Sequence, residues 1–272
     1  MRLWYAAAVT IFAAALLGIL QGITEWLPIS SDGHFVLLSR LLHISLEGND
    51  AVGFDVLLHG GSLLALLLLY GTTWISLLRS LRVRDRDGMR TIALLALATV
   101  PGVIAGMTLE NVIGSLQTLL AAGIGFFVTA ACLLLGEWLG ARRMGRERVV
   151  VLDALLMGIA QAIAILPGVS RSGLTIATGR ALGLERKQAL DFSFLMAAPI
   201  IGGAVGKTLL DAWGGNVLFP SVLISGTGFL TSFIVSLGVI SILRAFVVRR
   251  SFAWFALYLL PLSALLIYIS RG

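Results

Sequence analysis

The chain is organised around the stretch Gln21-Gly22-Ile23-Thr24-Glu25-Trp26-Leu27-Pro28-Ile29-Ser30-Ser31-Asp32-Gly33-His34, which interrupts apolar sequence on both sides. Half of its residues carry polar or ionisable side chains. Such groups are costly in hydrocarbon, so a cluster of them within apolar sequence indicates a functional site. A second stretch of similar chemistry, Leu166-Pro167-Gly168-Val169-Ser170-Arg171-Ser172-Gly173-Leu174-Thr175, follows later in the chain. We therefore expect the site to form where the two stretches meet.

The composition is that of an integral membrane protein. Hydrophobic residues make up 58% of the chain and charged residues 12%, whereas a soluble domain carries about 25% charged residues. The apolar runs are long and continuous, which favours helices over the alternating pattern of a membrane barrel. The single cysteine, Cys132, excludes a disulfide within the chain.

The net charge of +6 does not indicate a nucleic-acid partner, because the basic residues are clustered. Fourteen of the 20 Lys and Arg residues fall in four turns, within 79–90, 142–148, 186–187 and 244–250. Cytoplasmic turns of membrane proteins are enriched in this way. The sequence therefore predicts a multi-pass protein of the cell membrane, inner or plasma, with these four turns inside.

Six segments are long enough to span a bilayer, which takes about 20 apolar residues. They are residues 51–78, 91–109, 113–140, 188–212, 218–245 and 252–270. Residues 150–187 begin and end at inside turns, and their two apolar pieces are too short to cross separately. They predict a re-entrant helical hairpin. Residues 3–46 have the same form, with a helix to Leu27, a break at Pro28–Gly33 and a second helix starting near His34.

The two hairpins also match in sequence. Gly18-Ile19-Leu20-Gln21 corresponds to Gly158-Ile159-Ala160-Gln161, and Leu27-Pro28 to Leu166-Pro167. Each half, about 1–140 and 141–272, then holds one hairpin and three spans, so the halves have opposite orientations. We predict one membrane domain over 1–272, all-α, with six transmembrane helices and two re-entrant hairpins arranged as an inverted repeat.

The first break offers acid and base groups. Gln21 and Glu25 are four residues apart and share a helix face. An ionised Glu25 in hydrocarbon needs a cation or a proton, and a hard ion such as Mg²⁺, bound through oxygen and a diphosphate, is one solution. Ser31 or Asp32 can cap the following helix. His34 can act as nucleophile, base or acid, or it can be a hydrogen-bonded core residue.

The second break is suited to an anion. Ser172 lies at the predicted helix start, where free N–H groups favour phosphate, and Gly168 and Gly173 allow close backbone approach. Arg171 adds a bidentate donor. A phosphate-bearing ligand is the simplest partner for an arginine in this setting. His59, early in the next span, can line the same pocket or serve only in packing.

These motifs resemble those of the undecaprenyl-diphosphatase (bacitracin-resistance) family. Gln21-x-x-x-Glu25 is similar to its (Glu/Gln)-x-x-x-Glu motif, Ser30-Ser31-Asp32-Gly33-His34 to its Ser-Ser-x-Gly-His, and 167–175 to its Pro-Gly-x-Ser-Arg-Ser-x-x-Thr. The resemblance covers essentially the whole chain. Two positions depart from the pattern, because Gln21 stands where many members have Glu and Asp32 where a small hydroxyl residue is common.

The resemblance implies hydrolysis of undecaprenyl (C55 polyprenyl) diphosphate to the monophosphate and inorganic phosphate, at a site facing outside or the periplasm. This reaction recycles the lipid carrier of cell-wall polymers such as peptidoglycan, supports cell shape and confers bacitracin resistance. The implied catalytic residues are Glu25, Ser31 or His34, and Arg171. The phosphate-binding residues would be Ser30, Gly168, Ser170, Arg171, Ser172, Gly173 and Thr175. The resemblance also implies a divalent cation, Mg²⁺ or Ca²⁺, with Glu25 in metal or proton handling. Gln21 can offer this ion only an amide oxygen, so we expect Asp32 to supply the missing carboxylate, unless it only caps the next helix.

A transporter or lipid flippase is the alternative, since transporters also use inverted repeats and broken helices around a midplane anion site. Transport needs anion binding but no nucleophile, so His34 beside Ser30 and Ser31 favours the hydrolase. The expected partners are a polyprenyl diphosphate lipid and the membrane, and not nucleic acid. Homodimerisation stays an open alternative.

Overall fold

The computed structural model describes residues 10–42 and 49–271, and these residues are helical throughout apart from turns and one isolated bridge. Their eleven helices are α1 (Ile11–Thr24), α2 (Ser31–Leu42), α3 (Asn49–Leu69), α4 (Gly71–Val83), α5 (Arg86–Ser115), α6 (Leu119–Ala141), α7 (Val151–Ile163), α8 (Arg171–Ala181), α9 (Arg186–Trp213), α10 (Val222–Arg249) and α11 (Ala253–Ile269). The predicted all-α class is confirmed. The ends of the first predicted hairpin, residues 3–9 and 43–46, lie outside the described residues.

Five of these helices, α3, α5, α6, α9 and α10, are long and apolar enough to cross a membrane. They coincide with five of the six predicted spans, and α11, the sixth, is shorter at 17 residues. The predicted span 51–78 was wrong in one respect, because the helix is interrupted at Tyr70 between α3 and α4. The Tyr70 hydroxyl donates to Asp191 Oδ1 at 2.5 Å, and this bond ties the interruption to α9.

The four basic turns contact one another and therefore lie at one end of the helix bundle. Arg148 in the second turn pairs with Asp87 in the first at 2.9 Å. Arg146 bridges to Leu184, just before the third turn. Glu137 joins the third and fourth turns, because it accepts from the Arg186 guanidinium and from the backbone N–H of Phe252.

The first helix break lies about three residues earlier than predicted. Helix α1 ends at Thr24 and α2 begins at Ser31, so Glu25 lies at the C-cap of α1. Ser30 turns the chain with a φ of 71° and its Oγ accepts from the Gly33 N–H at 3.4 Å. Capping by Ser31 or Asp32 was therefore wrong, since Ser30 occupies that position. In the second break Ser170 caps α8 in the same manner, at 3.0 Å from the Gly173 N–H.

The two breaks pack against each other in the core. Trp26 in the first break is fully buried and meets Phe194 of α9 edge-on at 5.1 Å between ring centroids. The Ser172 hydroxyl donates to the backbone carbonyl of Leu27 at 3.1 Å. Gly33 is so close to the second break that a Cβ atom there would lie 3.0 Å from Gly168 Cα. The meeting of the two polar stretches, predicted from the sequence, places their side chains around one cavity.

Candidate functional site

A cavity of about 320 Å³ opens where the two breaks meet. Its polar wall combines both breaks with helix α3 and with the adjoining parts of α1 and α7. It is formed by Thr24, Glu25, Ser30, Ser31, Asp32, Asp55, His59, Gln161, Ser170, Arg171 and Ser172. Its apolar wall comes mainly from the second break and α9, through Ala164, Ile165, Val169, Ile200, Ile201, Ala204 and Val205. A polar head group with an apolar tail matches this division of the walls.

Glu25 is the centre of the polar wall. Its carboxylate accepts from Arg171 Nη2 at 2.6 Å on Oε1, and from Ser31 Oγ at 3.0 Å and Gln21 Nε2 at 3.1 Å on Oε2. His59 Nε2 lies 3.5 Å from Oε2. The side chain is only 6% exposed. A buried carboxyl with so many donors and a guanidinium partner is ionised, because each of these contacts favours the charged form.

The Arg171 guanidinium is only partly satisfied by hydrogen bonds. Nη2 is bound to Glu25, whereas Nη1 is buried and has no hydrogen-bond partner among the described residues. The residue begins α8, and a helix N-terminus favours anions. A guanidinium that is bound on one side and unsatisfied on the other is arranged to receive a further acceptor such as a phosphate oxygen.

The structure brings seven of the predicted site residues to the cavity and leaves five outside it. Those at the cavity are Glu25, Ser30, Ser31, Asp32, Ser170, Arg171 and Ser172. Those that do not line it are Gln21, His34, Gly168, Gly173 and Thr175. Their predicted roles remain predictions, but none of the five side chains or backbone positions forms part of the cavity wall.

His34 points away from the cavity. Its Nδ1 lies 2.7 Å from the backbone carbonyl of Ser30, which can only accept, so Nδ1 carries the proton. Nε2 then accepts from the Tyr258 hydroxyl of α11 at 2.8 Å. The ring also packs on Phe126, at 4.9 Å between centroids. These contacts give His34 the hydrogen-bonded core environment that the sequence left open as an alternative.

The other four have packing or supporting contacts. Gln21 lies behind Glu25 and donates to it. Thr175 donates to the carbonyl of Arg171 at 2.8 Å and contacts Ser193 of α9 at 2.6 Å. Gly168 has a φ of +78° and is pressed against the backbone of α6, where a side chain would not fit. The Gly173 N–H donates to Ser170 Oγ at 3.0 Å. Thr175, Gly168 and Gly173 therefore hold the second break in place, whereas Gln21 supports Glu25 in the first.

Sequence reasoning assigned no role to Asp55, Gln161 and Thr129. Asp55 and His59 are four residues apart on α3, and this i, i+4 spacing was a signal that both face one direction. Gln161 was noticed only as the repeat partner of Gln21. Thr129 Oγ1 accepts from the Ser170 N–H at 2.9 Å, and no sequence pattern indicates this contact across 41 residues.

Comparison with known proteins gives a consistent result. A family model described as bacitracin resistance protein BacA matches residues 14–265. The undecaprenyl-diphosphatase of Pelotomaculum thermopropionicum is 39% identical over 97% of this chain and 98% of its own. Those of Desulforudis audaxviator and Desulfosudis oleivorans are 38% and 34% identical, over 96% and 93% of this chain and 99% and 96% of their own.

Proposed function

The chain belongs to the bacitracin resistance protein BacA family, and we infer that it is an undecaprenyl-diphosphatase, a membrane hydrolase that removes the terminal phosphate of undecaprenyl diphosphate. The monophosphate product is the lipid carrier that cell-wall synthesis reuses, and bacitracin resistance fits this activity. The relatives reported above are all named for hydrolysis and none for transport.

The observation that carries the assignment of the site is the buried ion pair between Arg171 and Glu25. It joins the two breaks, and Arg171, which lines the cavity, keeps a buried Nη1 that has no hydrogen-bond partner among residues 10–42 and 49–271. A second acceptor on this guanidinium completes its hydrogen bonding, and a terminal phosphate supplies one. Diphosphate hydrolysis depends chiefly on such positioning and charge stabilisation.

Attack on the terminal phosphorus comes from Ser31 or from a water molecule in its place. The Ser31 hydroxyl donates to Glu25 Oε2 at 3.0 Å, so Glu25 is placed to accept a proton from the attacking group. The P–O bond to the bridging oxygen then breaks and its electron pair stays on the lipid phosphate. If Ser31 attacks, water must release the phosphate from it in a second step.

A divalent cation, Mg²⁺ or Ca²⁺, is the proposed cofactor. Among residues 10–42 and 49–271, no three His, Cys, Asp or Glu side chains form a ready-made ion site. Mg²⁺ commonly takes one or two carboxylates and completes its shell with water and substrate phosphates. Asp32 lines the cavity and would hold the ion, whereas Glu25 is engaged by Arg171 and Gln21 acts through Glu25. The ion would neutralise charge on the diphosphate.

We propose that the two halves, about 1–140 and 141–272, form an inverted repeat of one re-entrant hairpin and three spans each. In such a repeat α1 corresponds to α7, α3 to α9, α5 to α10 and α6 to α11. The helix packing supports this symmetry, because α1 packs on α10 and α7 packs on α5. In the same way α3 packs on its counterpart α9, and α6 on its counterpart α11. Helices α7 and α8, of 13 and 11 residues, are about 20 and 16 Å long, too short for a bilayer core of about 30 Å.

The proposed membrane is the inner or plasma membrane, with the connected basic turns in the cytoplasm. The hairpins enter from opposite sides in this arrangement, and the site opens towards the outside or periplasm. Homodimerisation stays a prediction.

Release of inorganic phosphate from undecaprenyl diphosphate by the purified protein in detergent tests the function. No gradient exists in detergent, so turnover there cannot come from transport. We expect Arg171→Ala and Glu25→Gln to lower kcat/KM by about 100-fold or more, and Arg148→Ala, an exposed arginine of a basic turn, to retain the wild-type rate. Absence of phosphate release by the wild-type protein at any divalent-cation concentration would exclude this function.

A further inference from the structure

His59 is the second basic group of the cavity. Arg171 Nη2 is 2.6 Å from Oε1 of Glu25, and His59 Nε2 is 3.5 Å from Oε2 of the same carboxylate. The histidine side chain is 21% exposed and lines the cavity that both breaks enclose. It belongs to α3, outside both breaks, so the hydrolase assignment above does not use it.

The contacts of the ring define its protonation. Nδ1 lies 3.0 Å from the backbone carbonyl of Asp55, which can only accept, so Nδ1 carries a proton. Were the ring neutral, the lone pair of Nε2 would face the ionised carboxylate of Glu25. A proton on Nε2 turns this repulsion into attraction. The charged groups that face the ring are Glu25, Asp32 and Asp55, with Arg171 beyond Glu25, and His59 is accordingly an imidazolium.

The charge of the cavity side chains favours a cationic His59. Its charged side chains are three carboxylates, Glu25, Asp32 and Asp55, and one guanidinium, Arg171. A diphosphate ester is strongly anionic at neutral pH. The side chains alone, with His59 neutral, would oppose such a substrate. An imidazolium at His59 reduces this opposition in addition to the proposed divalent cation at Asp32.

We propose that His59 is a further catalytic residue, which turns its Nε2–H from Glu25 to an oxygen of the diphosphate. This inference rests on the proposed hydrolase function. When the bond between the terminal phosphorus and the bridging oxygen breaks, the electron pair moves onto the lipid phosphate. The imidazolium stabilises that charge by a hydrogen bond, as Arg171 does on its own side, and no proton needs to be transferred.

Asp55 is the positioning residue of this pair. Its Oδ2 lies 3.5 Å from His59 Nδ1, and its backbone carbonyl accepts from the same nitrogen. Both contacts are made within one helical turn of α3. They hold the ring with Nε2 directed at the cavity and favour its cationic form, as carboxylate partners do for many functional histidines.

Kinetics as a function of pH test the proposal. We expect the wild-type rate to decline at high pH as His59 loses its proton, and we expect His59→Gln to lower kcat/KM by about 100-fold and to remove that decline. His59→Lys restores a cation and should recover about tenfold of the loss, while Asp55→Asn should move the high-pH decline to lower pH. Asp211→Asn, an exposed carboxylate at the end of α9, is the control and should match the wild type.

Two results would overturn the role of His59. One is a His59→Gln protein with the wild-type kcat/KM and pH profile, and the other is a His59→Lys protein no faster than His59→Gln. Calorimetric binding of methylenediphosphonate, which cannot be hydrolysed, separates this proposal from the function itself. If the wild-type protein hydrolyses no lipid but His59→Gln binds methylenediphosphonate more weakly than the wild type, the hydrolase function is refuted and the contact between His59 and the anion is supported. Normal hydrolysis and binding in the variant would remove the contact alone.

Discussion

The ion pair between Arg171 and Glu25 should control the stability of the protein as well as its activity. The two side chains are 17% and 6% exposed, and the N–O distance is 2.6 Å. Arg171→Ala leaves the Glu25 carboxylate buried without its closest cation. A variant made to remove phosphate binding therefore also places an uncompensated charge in the core.

The size of this effect follows from what remains around Glu25. Breaking a buried ion pair by removing one partner costs about 3–5 kcal/mol. Ser31 and Gln21 still donate to Glu25, and His59 still lies at 3.5 Å, so we expect the lower end, about 3 kcal/mol. At roughly 2–4 °C per kcal/mol, Tm should fall by roughly 6–12 °C.

Thermal unfolding of purified variants in one detergent measures this shift. Arg148→Ala is the matched control, because Arg148 forms an ion pair of similar geometry, 2.9 Å to Asp87, with both side chains more than 70% exposed. Its Tm should change by no more than about 2 °C. Arg171→Ala combined with Glu25→Gln should be more stable than Arg171→Ala alone, since the second change removes the unpaired charge.

The reasoning would be refuted by a Tm for Arg171→Ala equal to that of the wild type. It would also be refuted if the double variant lost as much as the two single variants added together. Either result would mean that Glu25 is not held ionised by Arg171, and the loss of activity in Arg171→Ala would then need another cause.

Three further predictions follow from the same geometry. Arg171→Lys should lower kcat/KM by about 100-fold, measured by phosphate release, because one ammonium cannot satisfy both Glu25 and a phosphate; a rate near the wild type would contradict the bidentate role. Met144→Cys in a Cys132→Ser background should react with an impermeant maleimide only after cells are opened, and reaction in intact cells would reverse the topology. Asp32→Asn should raise the divalent-cation concentration needed for half-maximal rate, because Asp32 lines the cavity and would hold the ion; an unchanged midpoint would remove Asp32 from the ion site.

Much of the architecture could be predicted because the bilayer imposes strict requirements on a sequence. Apolar length and clustered arginines indicated the helices and the end at which the basic turns meet. The sequence predicted that Glu25 and Arg171 share one site, although it assigned Glu25 to a metal ion or a proton and Arg171 to phosphate, and not to each other. Each is an ionisable group in apolar sequence and needs an opposite charge, and the two breaks are the places where such charges occur.

The helix starts within the breaks could not be predicted from residue types alone. Ser30, Ser31 and Asp32 are all good N-cap residues, so the sequence permits three starts for α2. The choice depends on Ser30 adopting a φ of 71°, which non-glycine residues seldom do. Packing of the first break against the second, through the Ser172 bond to the Leu27 carbonyl, fixes the path of the chain there.

That choice of helix start also explains why His59 lines the cavity and His34 does not, although the sequence favoured His34. Successive residues of a helix are about 100° apart, so His34 is about 200° around α2 from Asp32, which lines the cavity. With the helix beginning at Ser31, His34 is turned towards Tyr258 and Phe126. His59 is distant in sequence, but α3 passes the first break and presents its ring to Glu25. Closeness along the chain indicated the wrong histidine for the cavity wall, because a helix distributes neighbouring side chains around its axis while packing brings distant ones together.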